Sequence, residues 1–197
     1  MRTTRTFVAV AVPEALNAKL TRLQSLLAPE LPAVRWAVVK PFHLTLAFLG
    51  DVDDSELNQV CRTVEEVAAD FPPFDLRIES LGVFPSATQP RVIWVGLSGP
   101  GMAVLQDARA KLASSLTAAG YPCDDEFNPH ITLGRIKRKR DEPVDLTRSL
   151  NHFRTWSAGL FNVSELVTFA STLTSEGPDY APLARASLKG RKGRPST

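Results

Sequence analysis

The stretch "KPFHLTLAFLGDV" (residues 40–52) decides how this chain is read. It has the apolar content of a buried strand, yet it carries His43 between Phe42 and Leu44. Thr45 is the only other polar side chain between His43 and Gly50. Side chains alternate across a strand, so His43 and Thr45 share one face while Leu44 and Leu46 share the other. One such pair would read as structural, satisfied against buried backbone groups. A second stretch, "FNPHITLGRI" (residues 127–136), repeats the arrangement with His130, Ile131, Thr132 and Leu133. The chain has three histidines, and only His152 lacks a threonine two positions on. Residue frequencies make this double coincidence rarer than about one in a thousand.

Working outward from the two motifs, residues 5–12 alternate and predict a strand. Pro13 then opens a helix with Leu16, Leu20, Leu23 and Leu27 on one face. Strands are predicted over 34–39 and through the first motif, and a second helix over 53–71 with Asp and Ser near its start. Strands over 74–84 and 91–98 flank the turn-rich "PSATQP". A third helix runs from about Gly101 to Ala119 and is stopped by Gly120. The second motif strand follows, then a short helix over 145–153. Two or three strands follow Trp156, with a turn at Glu176 to Asp179. Several strand connections are too short for a parallel crossover. The predicted class is therefore α+β, mainly antiparallel sheet with helices on the outer faces. No linker rich in Gly, Ser or Pro divides the chain. The repeated motif suggests an internal duplication: two similar lobes meeting at a cleft, with the motif strands side by side. Residues 1–188 are expected to form this single two-lobed domain, and 189–197 ("KGRKGRPST") a basic, disordered tail.

The 197 residues are 44% apolar and 22% charged, as in ordinary globular proteins. No apolar run approaches the roughly 20 residues of a membrane span. The apolar stretch Phe7–Val12 is shorter than the roughly 7–15 residues of a signal-peptide core, so the expected location is the cytoplasm. Cys61 and Cys123 lie far apart and form no metal-type spacing. The net charge is only +2, but positive charge is concentrated in "KRKR" (137–140), directly after the second motif, and in the tail. A basic loop beside the second histidine would draw in a polyanion. A monomer is favoured.

Three chemistries could use such a repeated pair. Zinc needs a third ligand. Asp124, Asp125 and Glu126 lie near the second motif, but no acidic residue follows either His–Thr pair on its face, and the hydroxyls would serve no purpose. No metal or other cofactor is expected. No Ser or Cys stands in a nucleophile-elbow setting such as G-x-S-x-G. Acid–base chemistry on a phosphate remains. One neutral imidazole activates the incoming oxygen and one protonated imidazole serves the leaving oxygen. Two threonine hydroxyls donate hydrogen bonds to the non-bridging oxygens. A strained cyclic phosphodiester needs little activation and suits such a site.

The pair "HLTL" and "HITL" resembles the H-x-T-x signatures of the two-histidine phosphoesterases. Within that superfamily the chain resembles the bacterial and archaeal RNA 2′,3′-cyclic phosphodiesterases, also called 2′-5′ RNA ligases. The likeness extends to "RTFVAVAVP", "RWAVVKPFHLTLAFLGDV", "LGVFPSATQPRVIWVGL", "FNPHITLGR" and "TSEGPDYAPL", spanning about residues 4–188. It implies two pseudo-twofold-related lobes and a central cleft that takes RNA ends or nucleoside cyclic phosphates. It also implies that His43 donates a proton to the leaving ribose 3′-oxygen, that His130 accepts one from water, and that Thr45 and Thr132 hold the phosphate. The product would be a 2′-phosphate. The same geometry, worked with an RNA 5′-hydroxyl, implies reversible ATP-independent 2′-5′ joining.

The resemblance also implies an arginine, Arg135, near the phosphate. Simple parity puts Arg135 on the face opposite His130 unless a bulge turns it back. Trp36 and Trp94 read as core, and so do Phe48 and Phe84, although exposed aromatics are how single-stranded RNA ends are commonly held. His152 reads as surface. Two other functions compete: a phosphodiesterase of small cyclic nucleotides such as ADP-ribose cyclic phosphate, and a non-catalytic RNA-end binder. The two imidazoles argue against the latter, because binding alone needs Arg or Lys more.

Overall fold

The computed structural model describes residues 2–38, 41–124, 126–136, 145–175 and 177–191. The basic run Lys137–Arg140 and residues 192–197 of the tail lie outside the described residues, and so does Glu176 in the expected turn. The chain runs β1 (Thr3–Ala11), α1 (Glu14–Leu27), β2 (Val34–Trp36), β3 (His43–Asp53), α2 (Leu57–Asp70), β4 (Phe74–Phe84) and β5 (Val92–Ser98). It continues with α3 (Met102–Ala118), β6 (His130–Ile136), α4 (Thr147–His152), β7 (Ser157–Val163), β8 (Glu165–Thr174) and β9 (Gly177–Ser187). The class is α+β as expected.

One sheet joins the strands in the order β7-β4-β5-β6-β3-β1-β8-β9, with β2 paired to β6, and every pairing is antiparallel. The order reveals two halves, β7-β4-β5-β6 and β3-β1-β8-β9, each ending on a motif strand. The two motif strands meet at the centre through one residue pair, Leu44 opposite Ile131. Both of these side chains are buried and point into the helix-covered core. By strand parity the residues on either side of each, His43 and Thr45, His130 and Thr132, face the other way. The histidines of two distant segments are therefore on one surface because two leucine-type side chains are on the other.

Helix α1 shows how that junction is held. Its buried stripe contains Leu16, Leu20, Leu23 and Leu27, but also Asn17 and Gln24. The Asn17 amide donates to the Val12 carbonyl, and its oxygen accepts from the Phe42 backbone N–H, one residue before His43. The Gln24 amide donates to the carbonyls of Ala37 and Leu133, the latter one residue after Thr132. One helix thus pins the start of one motif strand and the middle of the other. The strand predicted over 34–39 ends at Trp36. Beyond it, Ala37 turns its carbonyl to Gln24, and Val38 is 73% exposed. Helix α2 lies against β8 and β9 and against α3. At the far edge β8 and β9 form a long hairpin, paired as far as Thr174 with Gly177, so Gly177, Pro178 and Asp179, expected in the turn, belong to strand β9 instead.

Replacing Asn17 by Leu keeps the apolar stripe but strands the Val12 carbonyl and the Phe42 N–H. The expected loss is about 1–3 kcal/mol, the cost of leaving buried polar groups unpaired. Denaturant unfolding of Asn17→Leu checks this, and a variant as stable as the parent would show that these bonds do not support the junction.

Candidate active site

A cleft of about 600 Å³ opens on the sheet face opposite the core, and His43, Thr45, His130, Thr132 and Arg135 all line it. The structure thus brings together the four residues of the two motifs and Arg135, which the resemblance implied. Arg135 reaches the cleft through a bulge. Ile93 pairs with Gly134 and Trp94 with Thr132, leaving Leu133 unopposed on β6. The extra residue reverses the alternation, so Arg135 returns to the side of His130. Strand β3 has the same device. Val8 pairs with Ala47 and Ala9 with Thr45, leaving Leu46 unopposed. The residue it turns toward the cleft is Phe48, which is 47% exposed and lines the cavity. The reading of Phe48 as core is therefore corrected, and the cause is again the bulge. Gly134 is required here, because a Cβ would lie 2.7 Å from Val34 Cγ1 and 3.2 Å from the Arg35 carbonyl.

Each imidazole is held in the same way. The His43 Nδ1 lies 3.3 Å from the Pro41 carbonyl, and the His130 Nδ1 lies 2.7 Å from the Asn128 carbonyl. A carbonyl only accepts, so both Nδ1 atoms carry the proton and donate it. This leaves the two Nε2 atoms as the nitrogens for chemistry. Aromatic rings complete each setting. His43 packs against Phe7 and, edge to face, against Tyr180, at centroid distances of 5.1 and 5.0 Å. His130 meets Phe84 edge to face at 5.1 Å and Trp94 at 6.2 Å. Phe84 and Trp94 are partly buried supports of the second histidine, and Trp36 lines the cleft while packing on the core. His152, at the end of α4, is exposed as read.

Burial chiefly pulls the pKa of His43 below its ordinary value. The bond to the Pro41 carbonyl opposes this, and the charge of His130 adds to the lowering. Tyr180 is pushed up by burial, while the positive charges of Arg135 and Arg5 pull it down. The cleft therefore senses both cations. Asp124 also lines it, yet among the described residues no three His, Cys, Asp or Glu side chains gather as a metal site. No helix among the described residues is long and apolar enough to cross a membrane.

Four contributors escaped the sequence reading. Tyr180 lay within "TSEGPDYAPL" without an assigned place, and Arg5 lay in a strand read only for its alternation. Asn17 and Gln24 left a legible signal, two amides spaced seven apart within a leucine stripe.

The arrangement corresponds to known proteins. The family model described as LigT like Phosphoesterase matches twice in succession, at residues 10–94 and 95–180, as an internal duplication requires. A protein of Methanothermobacter thermautotrophicus named RNA 2′,3′-cyclic phosphodiesterase is 30% identical over 181 residues, covering 91% of this chain and 96% of the relative. Its namesake in Archaeoglobus fulgidus is 32% identical over 179 residues, covering 91% and 97%. Among solved structures, TT0787 of Thermus thermophilus superposes with a TM-score of 0.74 at 28% identity, covering 95% of this chain and 100% of the other. Apo LigT of E. coli superposes with a TM-score of 0.72 at 25% identity, covering 95% and 99%.

Two measurements probe the electrostatics. The His43 midpoint, followed by NMR, is expected below about 6.5, the usual imidazole value, and should rise in His130→Gln as the repelling charge is removed. An unchanged midpoint would mean that the two rings do not sense each other. Nitrogen-15 shifts of both neutral rings should report the proton on Nδ1.

Proposed function

Because the chain belongs to the LigT like Phosphoesterase family, we propose that it hydrolyses the 2′,3′-cyclic phosphate at RNA ends to a 2′-phosphate, by metal-independent acid–base catalysis between His43 and His130. The observation that carries this reading is the pairing of two His–Thr units on one cleft face, each with its Nδ1 engaged and its Nε2 available. Relatives of nearly equal length that are named for this activity support it.

In this mechanism a water oxygen attacks phosphorus while His130 Nε2 takes its proton. The bond from phosphorus to the ribose 3′-oxygen breaks on the opposite side, and His43 Nε2 supplies the proton that the 3′-oxygen needs. Charge gathers on the non-bridging oxygens during the displacement. Thr45 and Thr132 donate hydrogen bonds to them, and the Arg135 guanidinium adds charge-assisted ones. An RNA 5′-hydroxyl in place of water gives a 2′-5′ linkage without ATP.

The lowered pKa of His43 bears on its role. An acid must be protonated, and burial disfavours the charged imidazole. A bound phosphodiester monoanion offsets that penalty, because an opposite charge nearby favours the charged form. In the free enzyme kcat/KM should therefore fall as pH rises through a midpoint below about 6.5, while the matching limb of kcat, which reports the complex, lies higher. Superimposed limbs would separate His43 from the acid step.

Replacing either histidine by Ala should slow turnover of a nucleoside 2′,3′-cyclic phosphate by about 100-fold or more. With an activated aryl phosphodiester, whose leaving oxygen needs no proton, His43→Ala should regain much of its rate and His130→Ala should not. Rescue of the opposite variant would exchange the two roles. Turnover should survive EDTA. A protein that binds the cyclic phosphate without opening it would be an RNA-end binder, and one that prefers small cyclic nucleotides to RNA ends would fit the second enzymatic reading.

A further inference from the structure

The two imidazoles are anchored alike, each on a carbonyl two residues earlier, but the segments that carry those carbonyls are held differently. Ahead of His43, Phe42 is tied at both backbone groups. Its N–H donates to the Asn17 side chain, and its carbonyl accepts from the Val12 N–H. Ahead of His130, among the described residues, 122–128 take part in no backbone–backbone hydrogen bond. Yet this segment ends on Asn128, whose carbonyl takes the His130 Nδ1 proton. An imidazole whose Nδ1 partner drifts is free to turn and to exchange tautomers. Buried backbone without a ladder has to be held by side chains.

The side chain that meets this segment comes from α3. Arg109 lies on the buried face of that helix, between the core residues Leu105 and Leu112, and is only 9% exposed. Its Nη2 donates to the Asp124 carbonyl. Its Cζ stands 5.3 Å from the centroid of the Phe127 ring, which itself packs on the core. A cation over a ring face is attracted by the ring quadrupole. The buried Nε finds no partner among the described residues, and no carboxylate among them forms an ion pair with the guanidinium. Burying a charge so incompletely satisfied costs free energy, and a methionine would fill the place without that cost. The guanidinium instead supplies two fixed points on an otherwise untied segment, and the second, Phe127, directly precedes Asn128.

We infer that Arg109 is a positioning residue for His130: by gripping Asp124 and Phe127 it fixes the Asn128 carbonyl, which in turn holds the imidazole with Nε2 available to the cleft. The catalytic consequence rests on the function proposed above; the grip itself does not. Asp124 lines the cleft, so the hold reaches from the helix-covered core to the site. Helix α3 thereby does for the second motif, through a cation, what α1 does for the first through Asn17.

Nitrogen-15 NMR and kinetics test the inference separately. In Arg109→Met the neutral His130 ring should lose its preference for Nδ1–H, while the neutral His43 ring keeps it. Arg109→Lys retains a donor and a cation and should preserve the His130 signature. With a nucleoside 2′,3′-cyclic phosphate, kcat of Arg109→Met should fall by about 10- to 100-fold, within the cost of misplacing a reacting group by about 1 Å, and KM should stay nearly unchanged. An activated aryl phosphodiester should not restore the rate, because the base rather than the acid has been displaced. Phe127→Leu keeps the apolar volume but removes the ring beneath the cation. It should move the same His130 signature, and it decides the matter if Arg109→Met does not fold. A His130 ring unchanged in the folded variant would overturn the inference, and so would equal changes at His43 and His130, the mark of a general loosening. A raised KM with kcat kept would overturn the catalytic consequence. If the parent protein opens no cyclic phosphate at all, the proposed function fails, and the NMR comparison still decides whether Arg109 holds His130.

Discussion

The contact between Leu44 and Ile131 is the constraint on which the rest depends. Among the described residues it is the only register pair joining β3 to β6, and both side chains are buried. Burying two large aliphatic side chains here is favourable by a few kcal/mol, and strand alternation converts that gain into geometry. Once both point into the core, His43, Thr45, His130 and Thr132 have no choice but the cleft. The reactive groups are thus aligned by apolar burial, and no polar interaction between them is needed. That suits the proposed acid–base role, in which the imidazoles change protonation state, since groups tied to one another would resist doing so.

The surroundings then tune what the junction has aligned. Each histidine spends Nδ1 on a backbone carbonyl two residues earlier and rests on aromatic rings. Aromatic walls restrict water and strengthen electrostatic interactions inside the cleft. The same burial disfavours the charged form of His43. Under the proposed function, an anionic substrate and the imidazolium would stabilise each other more than they would in water. The positive potential of Arg5 and Arg135 reaches as far as Tyr180, on the far wall from β6.

The repeated His–x–Thr strands give the cleft its symmetry, and the residues beyond them set its limits. The family model matches the chain twice in succession, at residues 10–94 and 95–180. Equivalent bulges follow both Thr45 and Thr132, and the residues they present to the cleft differ, Phe48 on one side and Arg135 on the other. Strand β2 adds to β6 alone and places a second arginine beside the first. Chemistry that needs an acid and a base on opposite sides of one phosphorus can begin from such a symmetric frame. Recognition of a substrate with two unlike ends needs the frame to be broken.

The sequence by itself determined the strand faces, because His–x–Thr with aliphatic residues between and after allows one polar face and one buried face. It also determined that the pattern occurs twice, hence a duplicated α+β fold and a shared site. Nearly every helix and strand was legible from periodicity and from Pro13 and Gly120. What only the tertiary structure decided were features that depend on partners distant in the chain. Bulges arise from the register with a neighbouring strand, so the inward turn of Arg135 and the exposure of Phe48 could not follow from parity along one strand. The latch made by Asn17 and Gln24 depends on which carbonyls α1 meets. The position of Tyr180 against His43 depends on β9 returning to the sheet edge. Alternation is a local property of the backbone and can be read from residue order; register is a property of two strands at once, and it exists only when they meet.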